Sequence, residues 1–555
     1  MKANAKDEFL FLPLGGAGEI GMNLNLYGFG PPDRESWIMV DLGVSFGEGS
    51  VPAVDVIMPD PQFIVERKDS LLGLVLTHAH EDHLGAVQYL WDRLKCPVYA
   101  TPFAISILRR KLAETDFGHE VEIVEVPLGG RFRIGPFDME LITLTHSIPE
   151  PNAIAIRTAL GTVLHTGDWK FDPAPVIGAV SDEDALLRLG DEGVLAIVCD
   201  STNVFVPGES GSEADLEATL SHLIGGCKGR VAVTCFATNV ARIETIAKAA
   251  RAHGRDVVLA GRSLRRIDEA ARENGYLANV PAFLGEEECG QIPDDKALII
   301  CTGSQGEPRA ALARIAAGEH GNVTLGEGDA VIFSSRIIPG NEKAIGNLHN
   351  QLVRRGVRVV STEDNTVHVS GHPARGELIR MYQLARPGIA VPVHGELRHM
   401  TEHASLARDC QVPQTIVAEN GVVVRLAPGE AGIIGNVPVG RLALEGNRLV
   451  SMEGELVRSR TKALWNGTAV VTVVLNGSGR LAGPPQFSTS GLLEAGEDSL
   501  LEAAYEAVRA SIAAMPPKRQ ADDEDVKETV RLAIRRAFNE SLGKKPVTSV
   551  HLVRI

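Results

Sequence analysis

The sequence predicts a mixed α/β fold in which a layered, strand-rich domain is interrupted by a parallel-sheet α/β unit and followed by a small C-terminal α/β domain. Three observations predict it. Up to about residue 210, short apolar runs repeatedly end in a polar, ligand-type residue, as strands do when their ends feed one site. From about residue 213 to 372, β-branched runs without alternation are separated by helical periodicity, which suits parallel strands covered on both faces. The first style then returns after residue 373, so the α/β unit reads as an insertion.

Taken in order, residues 9–12 open a strand and lead into Gly16-Ala17-Gly18-Glu19-Ile20-Gly21. That G-x-G-x-x-G spacing imitates a dinucleotide-binding turn, but the fingerprint needs a helix to follow. Residues 23–28 instead alternate as NLNLYG and meet Gly30, Pro31 and Pro32, which predicts a β-hairpin with glycine-demanding turns. Further strands are expected at 37–40, ending in Asp41; at 71–77, ending in His78; and at 140–145, ending in His146. Two more, at 162–165 and 195–199, end in Thr166-Gly167-Asp168 and in Asp200.

Inside the insertion, helices are expected at 216–224 and 240–252, with strands at 231–235, 257–259, 297–300, 330–333 and 357–360. A helix at 378–385 and a strand at 389–393 then carry the chain to His394. The last segment contains strands at 469–475 and 547–553 and helices at 500–514 and 525–541. These readings place the layered domain at 1–212 and 373–450, the insertion at 213–372, a linker at 451–465 and the C-terminal domain at 466–555. On the last helix, Val526, Val530, Ile534 and Phe538 recur every fourth residue beside a basic stripe of Lys527, Arg531 and Arg535. A solvated face, an RNA contact and a subunit contact are all open for that stripe.

Composition narrows the class. At 555 residues the chain is long enough for roughly three or four domains. With 44% hydrophobic and 23% charged residues it is globular, and no apolar run approaches the about 20 residues of a membrane span. A formal charge of −16 argues against a protein that coats nucleic acid non-specifically, yet allows a local positive cleft. The start of the chain lacks the pattern of a secretory signal, and the seven cysteines form no C-x-x-C pair; a cytoplasmic location with buried free thiols is the expectation.

The strongest chemical signal is His78-Ala79-His80-Glu81-Asp82-His83, an H-x-H-x-D-H run at a strand end. Neutral imidazoles and carboxylates suit Zn²⁺ or Mn²⁺ without choosing between them. Counting the other strand-end residues, His78, His80 and His146 would hold one divalent cation and Asp82, His83 and His394 a second, with Asp168 between them. Two cations ~3.5–4 Å apart can activate water and clamp both oxygens of a phosphoryl displacement. His165 is expected to support its loop rather than ligate, and His399 and His403, four apart on a helix, to face solvent.

This arrangement resembles the metallo-β-lactamase superfamily, which implies an αββα sandwich for the layered domain and a role for Asp41 in holding the histidine loop. Superfamily likeness leaves the substrate open. Asp200 in CDSTN, His372 in HVSGH and His394 in PVHGE look like the additional motifs of the β-CASP nucleases, and histidine at the third resembles the RNA-processing branch rather than the DNA-repair branch. LGGAGEIGMN at 14–23, HTGDWKFDP at 165–173, FATN at 236–239, GRS at 261–263 and FSSRIIPGNE at 333–342 extend a resemblance to the ribonuclease J family to about residue 450. The C-terminal domain matches in placement and size more than in motifs.

The resemblance implies a metal-dependent ribonuclease acting on single-stranded RNA, a 5′-to-3′ exonuclease preferring 5′-monophosphate ends and also an endonuclease, in RNA maturation, including that of rRNA, and in mRNA decay. Asp82, Asp200 and His372 would be catalytic, with His372 giving a proton to the departing 3′ oxygen. His368, Val369, Ser370, Gly371 and His372 would contact substrate phosphate. Ala237, Thr238 and Asn239 precede a helix whose free amides suit the 5′-phosphate, although capping by Thr238 or Asn239 explains them too. Arg262 and Arg336 are candidate clamps on the RNA backbone. A homodimer or homotetramer, and partner proteins of an RNA-degradation complex, are family expectations. Two alternatives stand beside this reading: a hydrolase of small esters or thioesters, which would not need the insertion, and an inactive RNA-binding subunit, which would not need every ligand.

Overall fold

Two β-sheets stacked face to face form the layered domain. The computed structural model describes residues 7–47 and 54–555. One sheet runs in the order Gly432–Asn436, Val422–Ala427, Glu8–Gly15, Leu24–Gly30, Ser36–Val40, Leu71–Val75, Val98–Ala100 and Ile123–Glu125. The other runs Arg131–Ile134, Phe137–Thr143, Asn152–Thr158, Gly161–His165, Ala196–Asp200, Ile389–Val393 and Gln414–Thr415. Phe9, Phe11, Tyr27, Ile38 and Val75 from the first meet Phe137, Met139, Ile154, Ile156, Val198 and Val391 from the second. This inner core is apolar because alternate residues of every strand point into it.

The outer face of the second sheet is covered by helices. Ile142, Leu164, Ile197 and Ala390 pack against Leu186 and Leu189 of Glu183–Glu192, against Leu378 and Met381 of Arg375–Ala385, and against Leu406 of Leu397–Asp409. Strands from both sides of the insertion share each sheet: Ala196–Asp200 pairs in parallel with Ile389–Val393, and Glu8–Gly15 pairs antiparallel with Val422–Ala427. The interrupted sandwich expected from the sequence is the architecture observed. The expected hairpin is also present, with Glu8–Gly15 antiparallel to Leu24–Gly30.

The insertion carries a six-stranded, all-parallel sheet in the order Leu284–Gly285, Asp256–Ala260, Ala297–Cys301, Val231–Thr234, Ala330–Phe333 and Arg358–Val360. Two buried carboxylates, Glu213 and Glu377, fasten the chain near its borders with the sandwich. Arg242 donates to both oxygens of Glu213 and to the carbonyls of Ser334 and Val367. Where the chain leaves the sandwich and where it returns, the Glu377 carboxylate accepts from Ser210 N and Oγ, from Ala374 N and from Phe171 N.

This assembly, Met1–Ser45 with Met58–Val439, is one compact unit, and Phe46–Ile57 with Gly440–Ile555 is a second. In the second unit, Thr468–Leu475 lies between antiparallel Gln486–Ser490 and parallel Val547–Arg554. Val471 and Val473 of this sheet pack on Val508 and Ile512 of Asp498–Ala513 and on Val526, Val530, Ile534 and Phe538 of Asp523–Leu542. Lys527 and Arg531 of the basic stripe pair with Glu524 and Glu528 one turn back on their own helix.

The segment expected as a linker at 451–465 is ordered differently: Glu455–Asn466 is a helix, and Arg448–Ser451 pairs antiparallel with Arg441–Glu445. Its few buried residues, with Val457 inside and Leu464 and Trp465 exposed, left no clear apolar stripe to read. Among the described residues no helix is long and apolar enough to cross a membrane.

Candidate metal centre

Every metal-ligand candidate lies just beyond a strand or in the turn that follows it. His78 and His80 follow Leu71–Val75, Asp82 and His83 sit in the single helical turn Glu81–Leu84, His146 follows Phe137–Thr143, Asp168 follows Gly161–His165, and His394 follows Ile389–Val393. The sandwich brings them together. His78, His80, His146 and Asp168 form one group, and Asp82, His83, Asp168 and His394 a second; within each, the ligand atoms lie within 4.8 Å of one another. Asp168 belongs to both, as a bridging carboxylate must.

In the first group, His80 Nδ1 lies 3.0 Å from both His78 Nε2 and His146 Nε2. A neutral imidazole has one N–H, so mutual hydrogen bonding cannot satisfy all three nitrogens. A tetrahedral cation with ~2.0–2.1 Å bonds would hold its ligand nitrogens about 3.4 Å apart, close to what is seen. In the second group, Asp168 Oδ2 is 3.1 Å from His83 Nε2 and 3.5 Å from His394 Nε2, while Asp82 Oδ2 is 3.6 and 3.7 Å from the same nitrogens. Asp168 Oδ1 is buried with no hydrogen-bond partner. An orphaned carboxylate oxygen amid imidazoles fits divalent cations, which would use the lone pairs that no protein donor fills.

The far nitrogen of most of these rings is occupied, which points the other nitrogen at the centre. His83 Nδ1 donates to Asp41 Oδ2 at 2.7 Å. His78 Nδ1 meets Thr77 Oγ1 at 2.9 Å, and that hydroxyl donates in turn to Asp41 at 2.9 Å. His394 Nδ1 donates to Asn23 Oδ1 at 3.0 Å, and His146 Nδ1 to the carbonyl of Gly371. Asp41 and His394 both have left-handed backbones, φ 63 and φ 50, a strain of order 1–3 kcal/mol for each non-glycine residue that the surrounding bonds sustain.

Charge follows from this packing. Burial holds His78 and His146 well below the ordinary imidazole value, and neighbouring imidazoles add to it. His80 is lowered to about 4, chiefly by burial. These three are neutral, as ligands must be. Burial also opposes charge on His83, but Asp168, Asp82 and Asp41 outweigh it and raise the ring well above its usual value. Asp168 stays ionised: burial pushes its carboxyl up, and His394, His83 and His372 pull it well down.

The insertion completes the site. His372 Nδ1 lies 2.8 Å from Asp200 Oδ2 and 3.8 Å from Asp168 Oδ2. Burial disfavours its charged form, but Asp200 and Asp168 prevail and raise it to about 9, so His372 carries a proton at neutral pH. Asn203 donates to Ser370 Oγ and to the carbonyl of His372, and accepts from Arg336 at 2.7 Å. Arg336 is therefore joined to the cluster through Asn203. His368 is half-buried with an unpartnered Nδ1 and is lowered to about 3 by burial and by Arg242. Val369 is buried beside it.

Other candidates are placed less simply. Ala237 and Thr238 form the turn before Val240–Ala252, while Asn239 caps that helix, its Oδ1 accepting from Arg242 N at 2.9 Å. Arg262 opens the helix Arg262–Glu273, is exposed, and its side chain makes no hydrogen bond or ion pair among the described residues. His165 is buried and bonds Tyr27 OH at 2.9 Å, in keeping with a supporting role.

The expectation of solvent-facing His399 and His403 is corrected: they are 7% and 0% exposed. His403 bonds Ser201 Oγ through Nδ1 and Tyr382 OH through Nε2. Both partners come from other elements, which the helical spacing could not reveal. Thr77, Asn23 and Asn203 carry no signal of their own in the sequence, although each lies inside or beside one of its motifs.

Comparison with known proteins agrees with this geometry. Residues 30–195 match the metallo-beta-lactamase superfamily, 228–352 the ribonuclease J beta-CASP domain, 356–424 the Zn-dependent metallo-hydrolase RNA specificity domain, and 456–555 the ribonuclease J C-terminal domain. Ribonuclease J of Sinorhizobium meliloti is 44% identical over 99% of this chain and 98% of its own length. The chain belongs to the ribonuclease J family.

Ribonuclease J of Mycolicibacterium smegmatis is 39% identical over 98% of this chain and 96% of its own, and that of Thermus thermophilus 34% identical over 98% and 94%. A crystal structure of a protein of unknown function from Enterococcus faecalis shares the fold, with a TM-score of 0.50 and 16% identity over 77% of this chain and 100% of the other. The metallo-β-lactamase fold of the ribonuclease J family implies divalent-metal binding, and the two His/Asp groups are where this chain could hold the ions.

Proposed function

We propose that the chain is a metal-dependent ribonuclease that degrades single-stranded RNA from the 5′ end, prefers 5′-monophosphate ends and also cuts internally. Family membership supports RNA hydrolysis, and the alternatives of a small-ester hydrolase or an inactive subunit leave the insertion or the intact ligand set without a use. The observation that carries the mechanism is the closure of the insertion's HVSGH segment on the His/Asp cluster, with Gly371 bonded to His146 and His372 to Asp200.

His78, His80 and His146 would hold one ion, Asp82, His83 and His394 the other, and Asp168 both. Bound Zn²⁺ or Mn²⁺ would lower the pKa of a water and offset charge on the phosphoryl oxygens. Asp41, Thr77 and Asn23 orient the ligating rings. Ser370 and His368 face the phosphate, and Arg336 supplies positive charge nearby. Hydrolysis leaves the phosphate on the 5′ side of the product, and the departing 3′ oxygen takes its proton from His372 Nε2 while Asp200 holds Nδ1. Ala237, Thr238 and the start of the helix behind them receive the 5′-phosphate, with Asn239 fixing the turn.

A cytoplasmic location is supported by the seven unpaired cysteines. The test is the metal-loaded protein on 5′-monophosphate, 5′-hydroxyl and internally labelled RNAs, beside His80→Ala. Release of mononucleotides, fastest from the 5′-monophosphate, is expected. No cleavage at full metal occupancy sinks the reading, and equal rates on both ends remove the phosphate pocket.

A further inference from the structure

Beyond the metal ligands and the phosphate-binding motif, one exposed aromatic stands next to the site. Phe205 is 52% exposed, while its neighbour Val204 is fully buried. It lies on consecutive tight turns, Val204 N to Ser201 O and Val206 N to Asn203 O, and Arg375 N donates to Val206 O, so the ring is presented on fixed backbone. Two residues before it, Asn203 bonds the carbonyl of His372 and the guanidinium of Arg336. One residue earlier still, Thr202 Oγ1 donates to the carbonyl of His394. The loop is thus bound to both a metal-ligand candidate and the proposed acid.

The surroundings of the ring suit a nucleobase. His399 packs its ring edge against Phe205 at 5.4 Å, which sets the ring plane. The Arg398 guanidinium carbon stands 5.9 Å from the ring centroid, with the side chain 66% exposed and its Nε on Glu396. A fixed aromatic face beside an exposed cation, next to a candidate site for phosphodiester cleavage, is the recurring device by which proteins hold single strands without reading sequence. Leu397 and Ile20, both exposed, border the same edge of the sandwich, where Glu19 pairs with Gly395.

We propose that Phe205 is a stacking platform for one base of the RNA strand beside the scissile phosphate, with Arg398 on the adjoining backbone phosphate. This rests on the reading of the chain as a ribonuclease. A base stacked on one aromatic ring contributes about 5- to 150-fold in apparent affinity, independent of base identity.

The experiment is kcat/KM of the metal-loaded enzyme on single-stranded RNAs carrying one abasic ribose, moved stepwise along the strand, for wild type, Phe205→Ala and Phe205→Trp. Wild type should lose about 5- to 150-fold at one position. Phe205→Ala should show a similar loss on intact RNA and no further loss at that position, while Phe205→Trp keeps the wild-type profile. Wild-type indifference to base removal at every position overturns the platform, as does a Phe205→Ala enzyme that loses as much again at the sensitive position. The wild-type scan alone decides the matter if Phe205→Ala misfolds. Failure of wild type to cleave any RNA removes the ribonuclease reading itself, whereas cleavage that is indifferent to base removal sinks the platform and leaves that reading standing.

Discussion

Gly371 lies so close to His146 that a Cβ at position 371 would meet the imidazole Cε1 at 2.7 Å, while its carbonyl takes the Nδ1 proton of the same ring. The insertion therefore holds a metal-ligand candidate of the sandwich through backbone alone. Gly371→Ala should push His146 off this geometry and weaken the His78/His80/His146 position. About 10- to 100-fold loss in affinity for one of two ions is expected, with the other retained. Metal titration by calorimetry, with stoichiometry from elemental analysis, checks it; two ions bound at wild-type affinity would refute it.

Asp41 and Thr77 act on the same cluster from the opposite side. Asp41→Asn leaves Asp168 and Asp82, the larger causes of the raised His83 value, but removes the third and presents an amide to Nδ1, so the ring loses its fixed tautomer. Metal affinity should fall about 10- to 100-fold, and Thr77→Val should lower it by less, chiefly through His78, because Asp41 keeps its bonds to His83 and to the Thr77 backbone. A Thr77→Val loss larger than that of Asp41→Asn would reverse this ranking.

A Cβ added at Gly16 would fall 2.1 Å from Asn23 Oδ1, the atom that holds His394 Nδ1. With φ +84 the position is also strained for any side chain. Gly16→Ala is expected to disturb His394 and weaken the ion at Asp82, His83 and His394, leaving the first position nearer wild type. Mn²⁺ paramagnetic resonance, which distinguishes one bound ion from a coupled pair, reads the outcome.

Arg242 is fully buried and spends its guanidinium on Glu213, Ser334 and Val367. Glu213→Ala would strand that charge and should cost about 3–5 kcal/mol. Arg242→Met combined with Glu213→Leu should recover much of the loss, because the desolvation penalty goes with the pair. Urea unfolding of the three proteins tests this; a double variant no more stable than Glu213→Ala contradicts it.

His403 is held to about 4 by burial, against an ordinary value of 6.5. Its folded pKa is depressed, so the unfolded chain binds the proton first on acidification. The stability this neutral ring contributes is complete above about pH 6.5 and is lost as pH falls toward 4. Between pH 7 and 5 this one group accounts for about 2 kcal/mol. His403→Gln, which keeps polar atoms near Ser201 and Tyr382, should show a smaller drop in urea midpoint over that range, and an equal drop would show that the ring does not carry the effect.

What could be read from the chain divides by distance. The candidate ligands were legible because chemistry and strand-end position coincide at His78, Asp168 and His394, and the insertion because parallel strands have their own composition. The supports were not. Thr77 and Asn23 work through hydrogen bonds to rings 1 and 371 residues away, and threonine or asparagine in a loop has many other uses. His399 and His403 misled because spacing of four shows that two side chains share a helix face and is silent on what covers it. The turn at Gly16 imitated a cofactor loop for a related reason: both need glycine for close backbone approach, here to Asn23 and His394.

Glu377 gives the insertion a further property. Because one carboxylate grips both Ser210 and Ala374, the inserted unit is topologically a loop whose two ends are already pinned together. Closure entropy grows only with the logarithm of loop length, about 0.6 kcal/mol per doubling. A domain-sized excursion between pinned ends thus costs only about 3 kcal/mol more than a turn of about five residues, so the sandwich can carry it while the strand ends beside the candidate metal centre stay in register.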